Sequence, residues 1–153
     1  MHKVVSGSVF FSNDDLKKIV AIRSSDSQPG EPEPARRKVL VVDDQKIIAD
    51  TVGEILEGAG FQVMVAYDGW TALETGYRFN PDYVLSDVLM PRMNGVDLAI
   101  AIRKMLPATK VLLFSGQAGI SEALLAGKRQ GFEFELIPKP IHPIKLIERL
   151  KEQ

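Results

Sequence analysis

The sequence predicts an α/β domain in which strands and helices alternate around one parallel sheet. The apolar runs at 39–42 and 111–114 show no polar alternation, which is typical of strands covered on both faces. Apolar residues at helical spacing follow each such run, so that a strand and a helix alternate five times after Lys38. This order favours a parallel sheet with right-handed crossover helices.

The individual elements follow from the positions of apolar runs, turns and breakers. Strands are predicted at 39–42, 61–66, 83–85, 111–114 and 134–137, and helices at 47–59, 71–79, 96–106, 121–130 and from 143 onward. Ile47 belongs to the apolar stripe of the first of these helices, Tyr77 is expected to face inward, and Ser121 is predicted as an N-cap. Pro138 cannot donate to a neighbouring strand, so the fifth strand is expected at an edge of the sheet.

Composition limits the classes of function. The chain has 153 residues, enough for one domain and little more, and its net charge of −1 gives no reason to expect a nucleic-acid or membrane partner. The absence of cysteine excludes disulfides and thiolate chemistry. The apolar runs are too short to cross a bilayer, and the N-terminal residues make a poor signal peptide, so a cytoplasmic location is expected.

Residues 1–37 differ from the rest and are predicted to be an N-terminal extension and linker. Residues 14–23 have the spacing of a short amphipathic helix, and 24–37 have the Pro, Gly, Ser and charge content of a linker. The extension is interpreted either as a mobile tail or a start placed too far upstream, or as an apolar segment that docks on the domain or on a partner. The sequence leaves these alternatives open.

Chemically reactive side chains follow four of the five predicted strands. Asp43 and Asp44 follow the first strand, Asp87 the third, Ser115 the fourth and Lys139 the fifth. The carboxyl ends of parallel strands share one edge of a sheet, so these groups are expected to converge. Clustered carboxylates repel one another, and a hard cation such as Mg²⁺ relieves that repulsion. Each residue also has an ordinary structural explanation: the acids could stand at the start of a helix, the lysine could be a solvated surface residue and the serine could belong to a turn. None of these explains the whole set.

This set, with the stretch DVLMPRMNG at 87–95 and the dipeptide Lys139-Pro140, resembles the receiver domain of two-component response regulators from Lys38 onward. The resemblance implies a flavodoxin-like strand order of 2-1-3-4-5 with helices on both faces. It implies that Asp87 accepts a phosphoryl group from a sensor histidine kinase or a phosphotransfer protein. It also implies a signalling domain rather than an enzyme acting on an external substrate.

Further roles are implied by the same resemblance. The direct Mg²⁺ ligands would be Asp44, Asp87 and the backbone carbonyl of Leu89, with Asp43 acting through bound water. Lys139 and Ser115 would contact phosphoryl oxygens, and the Lys139–Pro140 peptide would be cis.

Two features depart from the family pattern. Leu136 stands where the family often has an aromatic residue that moves on phosphorylation. Leu89 and Gln117 flank the path of attack, and Leu89 has no polar atom to orient a hydrolytic water.

The sequence also bears on other functions. An aspartyl-phosphate phosphatase needs a second aspartate two residues after its nucleophile, where Leu89 follows Asp87 and Gln45 follows Asp43. An interaction module that works without phosphorylation remains the alternative. The sequence ends at Gln153, so no DNA-binding domain is expected. Output is therefore assigned to a protein contact, or to transfer of the phosphoryl group to another protein. By resemblance that contact, and a possible homodimer, would use the fourth and fifth strand–helix units.

Overall fold

The computed structural model describes residues 3–6, 9–12, 14–15, 17–19, 35–116 and 120–152. An antiparallel hairpin comes first, formed by β1 (Lys3–Ser6) and β2 (Val9–Ser12). The later strands are β3 (Lys38–Val42), β4 (Gln62–Ala66), β5 (Tyr83–Asp87), β6 (Lys110–Ser115) and β7 (Glu135–Pro138). The helices are α1 (Lys46–Gly58), α2 (Gly69–Phe79), α3 (Gly95–Met105), α4 (Ile120–Arg129) and α5 (Pro143–Lys151).

The five later strands form one parallel sheet in the order β4-β3-β5-β6-β7. Renumbered from β3, this is the order 2-1-3-4-5, so the predicted fold class is confirmed. Strand β7 lies at an edge, as the missing donor of Pro138 required. Because all five strands run the same way, their carboxyl ends share one edge of the sheet.

Apolar cores lie on both faces of the sheet, which explains the uninterrupted apolar strands. Val39 and Val41 belong to the cluster shared with α1 and α5, whereas Leu40 and Val42 belong to the cluster shared with α2 and α3. Successive side chains of a strand point to opposite faces, so every residue of such a strand must be apolar.

Three sequence expectations about the helices are wrong. Ile47 and Tyr77 are each 71% exposed, and Ser121 lies inside α4 rather than at its N-cap. The buried side of α2 is set by small residues, since a Cβ built on Gly76 would lie 3.1 Å from the Ile102 side chain. Tyr77 is one residue, or about 100°, further round the helix and therefore projects outward.

The hairpin of β1 and β2 was not anticipated from the sequence. It contacts α1, and β2 also contacts α5. Ser12 and Asp15 exchange hydrogen bonds of 2.9 and 3.3 Å between backbone and side chains, in the manner of a capping box, and residues 14–15 and 17–19 are helical. Residues 16 and 20–23 of the predicted helix lie outside the described residues. None of the described helices is long and apolar enough to span a membrane.

Candidate functional site

Three carboxylates come together at the carboxyl edge of the sheet. Asp43 directly follows β3, Asp44 is the next residue, and Asp87 is the last residue of β5, the strand that pairs with β3. One carboxylate oxygen from each residue lies within 4.8 Å of the others. Asp43 and Asp87 are buried and Asp44 is exposed, so the cluster opens to solvent on one side.

The buried member of the cluster, Asp43, is only partly satisfied by hydrogen bonds. The backbone N–H of Gln45 donates to Asp43 Oδ1 at 2.9 Å. Asp43 Oδ2 is buried and has no hydrogen-bond partner among the residues that the structure describes. Burial is the main cause that raises the pKa of Asp43 to about 6, and the charges of Asp87 and Asp44 add to it. The Gln45 N–H and the Lys139 ammonium act in the opposite direction.

The donor set suits a divalent cation of the Mg²⁺ type. Asp43, Asp44 and Asp87 offer hard, anionic oxygen ligands, which Mg²⁺ prefers, and Asp44 leaves the site open to water. A cation would give the unpartnered Asp43 Oδ2 a favourable positive neighbour, directly or through water, and would reduce the repulsion among the carboxylates. The residues present therefore fit the metal that the sequence predicted.

Lys139 joins the cluster from the end of β7, the edge strand of the sheet. Its Nζ lies 3.2 Å from Asp87 Oδ1, and the side chains are 19% and 11% exposed. Its backbone N–H donates to the carbonyl of Ser115 at 3.0 Å, which holds the end of β7 against the end of β6. The Lys139–Pro140 peptide is cis, as the resemblance implied. Half-buried Ser115 thus stands beside the lysine, at the end of the strand between β5 and β7.

The loop after β5 packs tightly around Asp87. Gly95 donates its N–H to the Val88 carbonyl at 2.8 Å, and a Cβ built on Gly95 would lie 2.1 Å from the Asp87 carbonyl oxygen. A side chain at this position is therefore incompatible with the present backbone. The Leu89 N–H points to Asp87 Oδ1 at 3.4 Å, and the Leu89 side chain is 50% exposed. The backbone of Leu89 thus lies beside the Asp87 carboxylate.

Residues beyond the acidic cluster were only partly foreseen. Gln117 lies outside the described residues. Leu136 and Phe134 both face the α3 side of the sheet, where Phe134 stacks on Phe132 at a centroid distance of 6.1 Å. These side chains line a groove of about 540 Å³ together with Leu124, Leu125, Lys128 and Glu133. Phe132 belongs to no predicted element and lies before β7, but its spacing of two residues from Phe134 is the signal of side chains on one side of an extended segment.

Known proteins share this fold and family. The protein-family model of the response regulator receiver domain matches residues 39–151 of this chain. The chain is similar to the Vibrio cholerae chemotaxis protein CheY4, with 29% identity over 76% of this chain and 98% of that one and a TM-score of 0.67. A CheY-like receiver from Methanospirillum hungatei shows 28% identity over 76% and 92%, with a TM-score of 0.69. The similarity to Brucella abortus NtrX, with 30% identity and a TM-score of 0.66, covers 76% of this chain but 26% of that longer one. The chain therefore belongs to the response regulator receiver domain family, the signalling domains of two-component systems.

Proposed function

We propose that this domain is a response regulator receiver that accepts a phosphoryl group on Asp87 in a Mg²⁺-dependent reaction. The donor would be a phosphohistidine on a sensor histidine kinase or a phosphotransfer protein. The observation that carries the proposal is the convergence of three carboxylates within 4.8 Å, with the Lys139 ammonium 3.2 Å from Asp87. This arrangement supports the proposal, because phosphoryl transfer needs a nucleophilic oxygen with cationic charge beside it.

The reaction is a transfer between two protein side chains. A carboxylate oxygen of Asp87 attacks the phosphorus, a P–O bond forms, and the P–N bond to the donor imidazole breaks. Lys139 then moves from its pairing with Asp87 to a phosphoryl oxygen, and the hydroxyl of Ser115 donates to another. These are charge-assisted hydrogen bonds, each contributing about 1.5–3 kcal/mol.

Asp44, Asp87 and the Leu89 carbonyl would hold the Mg²⁺ ion directly, with Asp43 acting through water. When bound, the ion offsets negative charge on the carboxylates and on the arriving phosphoryl group. The protein itself fixes the direction of Asp87, because the close approach of Gly95 to the Asp87 carbonyl holds the backbone there.

Output would be a change in a protein contact surface formed by β6, α4, β7 and α5. The groove between α4 and β7 supports this, because it exposes apolar surface near Leu125, which is itself 52% exposed. Phosphorylation adds roughly −1.5 to −2 charges beside Ser115 and Lys139, at the ends of β6 and β7. Movement of these two residues toward the new charge would reposition α4 and the groove.

The alternative is an interaction module on the same fold that works without phosphorylation. Leu136 favours it, since an aliphatic side chain replaces the aromatic residue that often moves in this family. The intact acidic cluster and Lys139 favour the phosphoacceptor, because a module with no phosphoryl chemistry has no need of a buried, partly unsatisfied Asp43.

The deciding experiment combines labelling with partner capture. Wild type and Asp87→Asn are incubated with Mg²⁺ and a small phosphodonor, and the acyl phosphate is measured by intact mass. Wild type is expected to gain one phosphoryl group, and Asp87→Asn none while remaining folded. Equal labelling of both proteins would refute the assignment of Asp87.

The same proteins are used with beryllofluoride, which stands in for the phosphoryl group. The single tryptophan, Trp70, is expected to report on the site. It follows Gly69, which packs so closely on Met93 in the loop after β5 that a Cβ built on it would lie 2.6 Å from the Met93 sulfur. A Trp70 fluorescence change and a partner captured only with beryllofluoride would support switching. Partner capture that is identical in both states, with no labelling of Asp87, would favour the module.

A further inference from the structure

Two strongly exposed aromatic side chains lie on one side of helix α2. Trp70 and Tyr77 are 67% and 71% exposed. They are seven residues, or about two turns, apart, so they point the same way and lie about 10 Å from each other along the helix axis. Leu73, at helical spacing from both, lies between them and is only partly buried. The three side chains form one apolar stripe, which we call the α2 stripe.

The packing of α2 leaves this stripe on the surface. The buried residues of the helix are Gly69, Ala72 and Gly76, and the helix packs against β3, β4 and α3. The hairpin of β1 and β2 contacts α1 and α5, whose core lies on the other side of the sheet. Tryptophan and tyrosine are enriched at protein interfaces and often supply most of the binding energy there. The α2 stripe therefore has the chemistry of a protein-binding surface.

The charges at the two ends of α2 are complementary to each other. Asp68 caps the start of the helix, where it accepts a hydrogen bond of 2.8 Å from the Thr71 N–H, and Arg78 lies in the last turn. In an antiparallel pair of α2 helices with Trp70 opposite the partner's Tyr77, Arg78 would face the start of the other helix, next to the partner's Asp68. The helix dipoles would also oppose each other. Each of these contacts would occur twice across a twofold axis.

The centre of the stripe carries no net charge. Glu74 would lie near the twofold axis, where two glutamates would repel each other. Arg78 Nη2 lies 3.2 Å from Glu74 Oε1 on the same helix and neutralises it. An acidic start, a basic end and a neutral centre are complementary to a second copy of the same helix, whereas a uniformly acidic or basic partner would be repelled at one end.

We propose that two copies of this chain form a symmetric dimer by antiparallel packing of their α2 helices, with Trp70 of each copy against Tyr77 of the other. An aromatic side chain buries about 150–250 Å² in full, so four that are now about two-thirds exposed would bury on the order of 400–700 Å². This is below the roughly 1,200 Å² at which standard interfaces begin. The dimer is therefore weak and depends on protein concentration.

The dimer leaves the acidic cluster open. Helix α2 begins after β4, at the carboxyl edge of the sheet, and runs toward the opposite edge. Antiparallel packing therefore places the two Asp87 clusters at opposite ends of the dimer. The interface uses neither the groove beside α4 nor the fourth and fifth strand–helix units, so its test is independent of the proposed phosphoryl chemistry.

The first test measures association of the full chain without metal or phosphodonor. Sedimentation should show a reversible monomer–dimer equilibrium, and the emission of Trp70 should move to shorter wavelength as concentration rises and water is excluded from the ring. Tyr77→Ala keeps the tryptophan but loses the contact twice, so it should associate at least roughly tenfold more weakly and show no shift in emission. Ile47→Ala is the matched control, since Ile47 is also 71% exposed but lies on α1.

The second test changes charge instead of apolar area. Arg78→Glu leaves Glu74 without its partner and brings a further acid near the Asp68 of the other copy, so dimerisation should again weaken at least roughly tenfold. Lys145→Glu makes the same change of charge at an exposed residue of α5 and should leave the dimer unchanged. Arg78, Tyr77 and the control residues are on the surface, so thermal unfolding of every variant should match wild type within about 0.5 kcal/mol.

Cross-linking identifies the face directly, because the chain contains no cysteine. Glu74→Cys places a single thiol near the twofold axis, where a bis-maleimide spanning the roughly 8–10 Å between packed helices should join two copies. Glu57→Cys places an exposed thiol on α1 and should give much less product under the same conditions.

Three results would overturn the proposal. The first is a chain that stays monomeric up to about 1 mM, where a dimer with a dissociation constant of that size would be well populated. The second is a dimer that Tyr77→Ala and Arg78→Glu leave intact, or that cross-links equally through Glu57→Cys, because association would then use another face. The third is a monomeric wild type that binds a different protein through Trp70 and Tyr77, because the stripe would then serve that protein rather than a second copy.

Discussion

Lys139 Nζ and Asp87 Oδ1 lie 3.2 Å apart at the ends of two strands, β7 and β5, that are not neighbours in the sheet. The pair spans the end of β6 and so links the carboxylate cluster to the edge strand. Both side chains are mostly buried, which strengthens their interaction relative to a surface pair. Lys139, which would release Asp87 for phosphorylation, thus also directly follows β7, a strand of the surface that would carry output.

Lys139→Ala is expected to separate labelling from signalling. Asp87 keeps its position, so a small phosphodonor should still modify it, but the phosphoryl oxygens lose the cation that would draw β7 inward. Partner capture with beryllofluoride should fall to the level seen without it. Removing one member of the pair should also lower the free energy of unfolding by about 1–3 kcal/mol.

Lys145→Ala is the matched control, because Lys145 is an exposed lysine of α5. It should leave labelling, capture and stability unchanged. Capture by Lys139→Ala that still depends on beryllofluoride would contradict the proposed role of the lysine.

The sheet and the site could be predicted largely because they depend on local patterns. Strand β5 consists of buried residues and ends in Asp87, and this pattern of burial and termination is directly visible in the sequence. Convergence of Asp43, Asp87 and Lys139 then follows from parallel strands sharing one edge. The resemblance supplied the strand order, which spacing alone does not determine.

The errors came from features that depend on packing between elements. Tyr77 has the helical spacing of a buried residue, yet the close contact of Gly76 with Ile102 determines which side of α2 faces the sheet. The hairpin was missed although Gly7-Ser8 separates two runs rich in Val and Phe, a turn signal that predicts paired strands. Whether such a hairpin is stable depends on its contacts with α1 and α5, which no local pattern reveals.

Gly95→Ala should disrupt the site through its backbone. The added Cβ would lie 2.1 Å from the Asp87 carbonyl oxygen, a separation that no side-chain rotation relieves. The backbone after β5 must shift, so thermal unfolding should show a loss of about 1–3 kcal/mol or more. Labelling of Asp87 should fall as well, because the loop that carries Leu89 moves with the backbone.

Gly116→Ala provides the comparison, since a Cβ built on Gly116 meets nothing within 4 Å. It should remain within about 0.5 kcal/mol of wild type. Equal stability of the two variants would show that the contact at Gly95 is relieved without cost.

Asp43 should make stability depend on pH when no metal is bound. Its pKa is about 6 in the folded protein, against 3.8 for the ordinary group, so between about pH 4 and pH 6 the folded state binds more protons than the unfolded state. The free energy of unfolding should therefore fall as pH rises through this window, by about 3 kcal/mol in total from this group. Thermal unfolding in a metal chelator measures the change.

Asp43→Asn tests the cause, because an amide oxygen can still accept from the Gln45 N–H. The variant should lack the fall in stability between about pH 4 and pH 6 and be more stable than wild type at neutral pH. Added Mg²⁺ should stabilise wild type above pH 6 and have much less effect on the variant. Parallel pH profiles for the two proteins would contradict a raised pKa of Asp43.

Leu89→Asn should shorten the lifetime of the acyl phosphate. The Leu89 side chain is half exposed and its N–H points toward Asp87, so under the proposed function its side chain would border the approach of water and offer it no hydrogen bond. An amide there can orient an attacking water through one hydrogen bond of about 1 kcal/mol, which corresponds to roughly fivefold in rate. The decay of the phosphorylated protein after removal of the donor measures the effect.

Leu125→Asn, a change at a leucine of nearly equal exposure on α4, should leave the decay unchanged. Equal decay in all three proteins would mean that the side chain of Leu89 does not control the access of water to the phosphorylated aspartate.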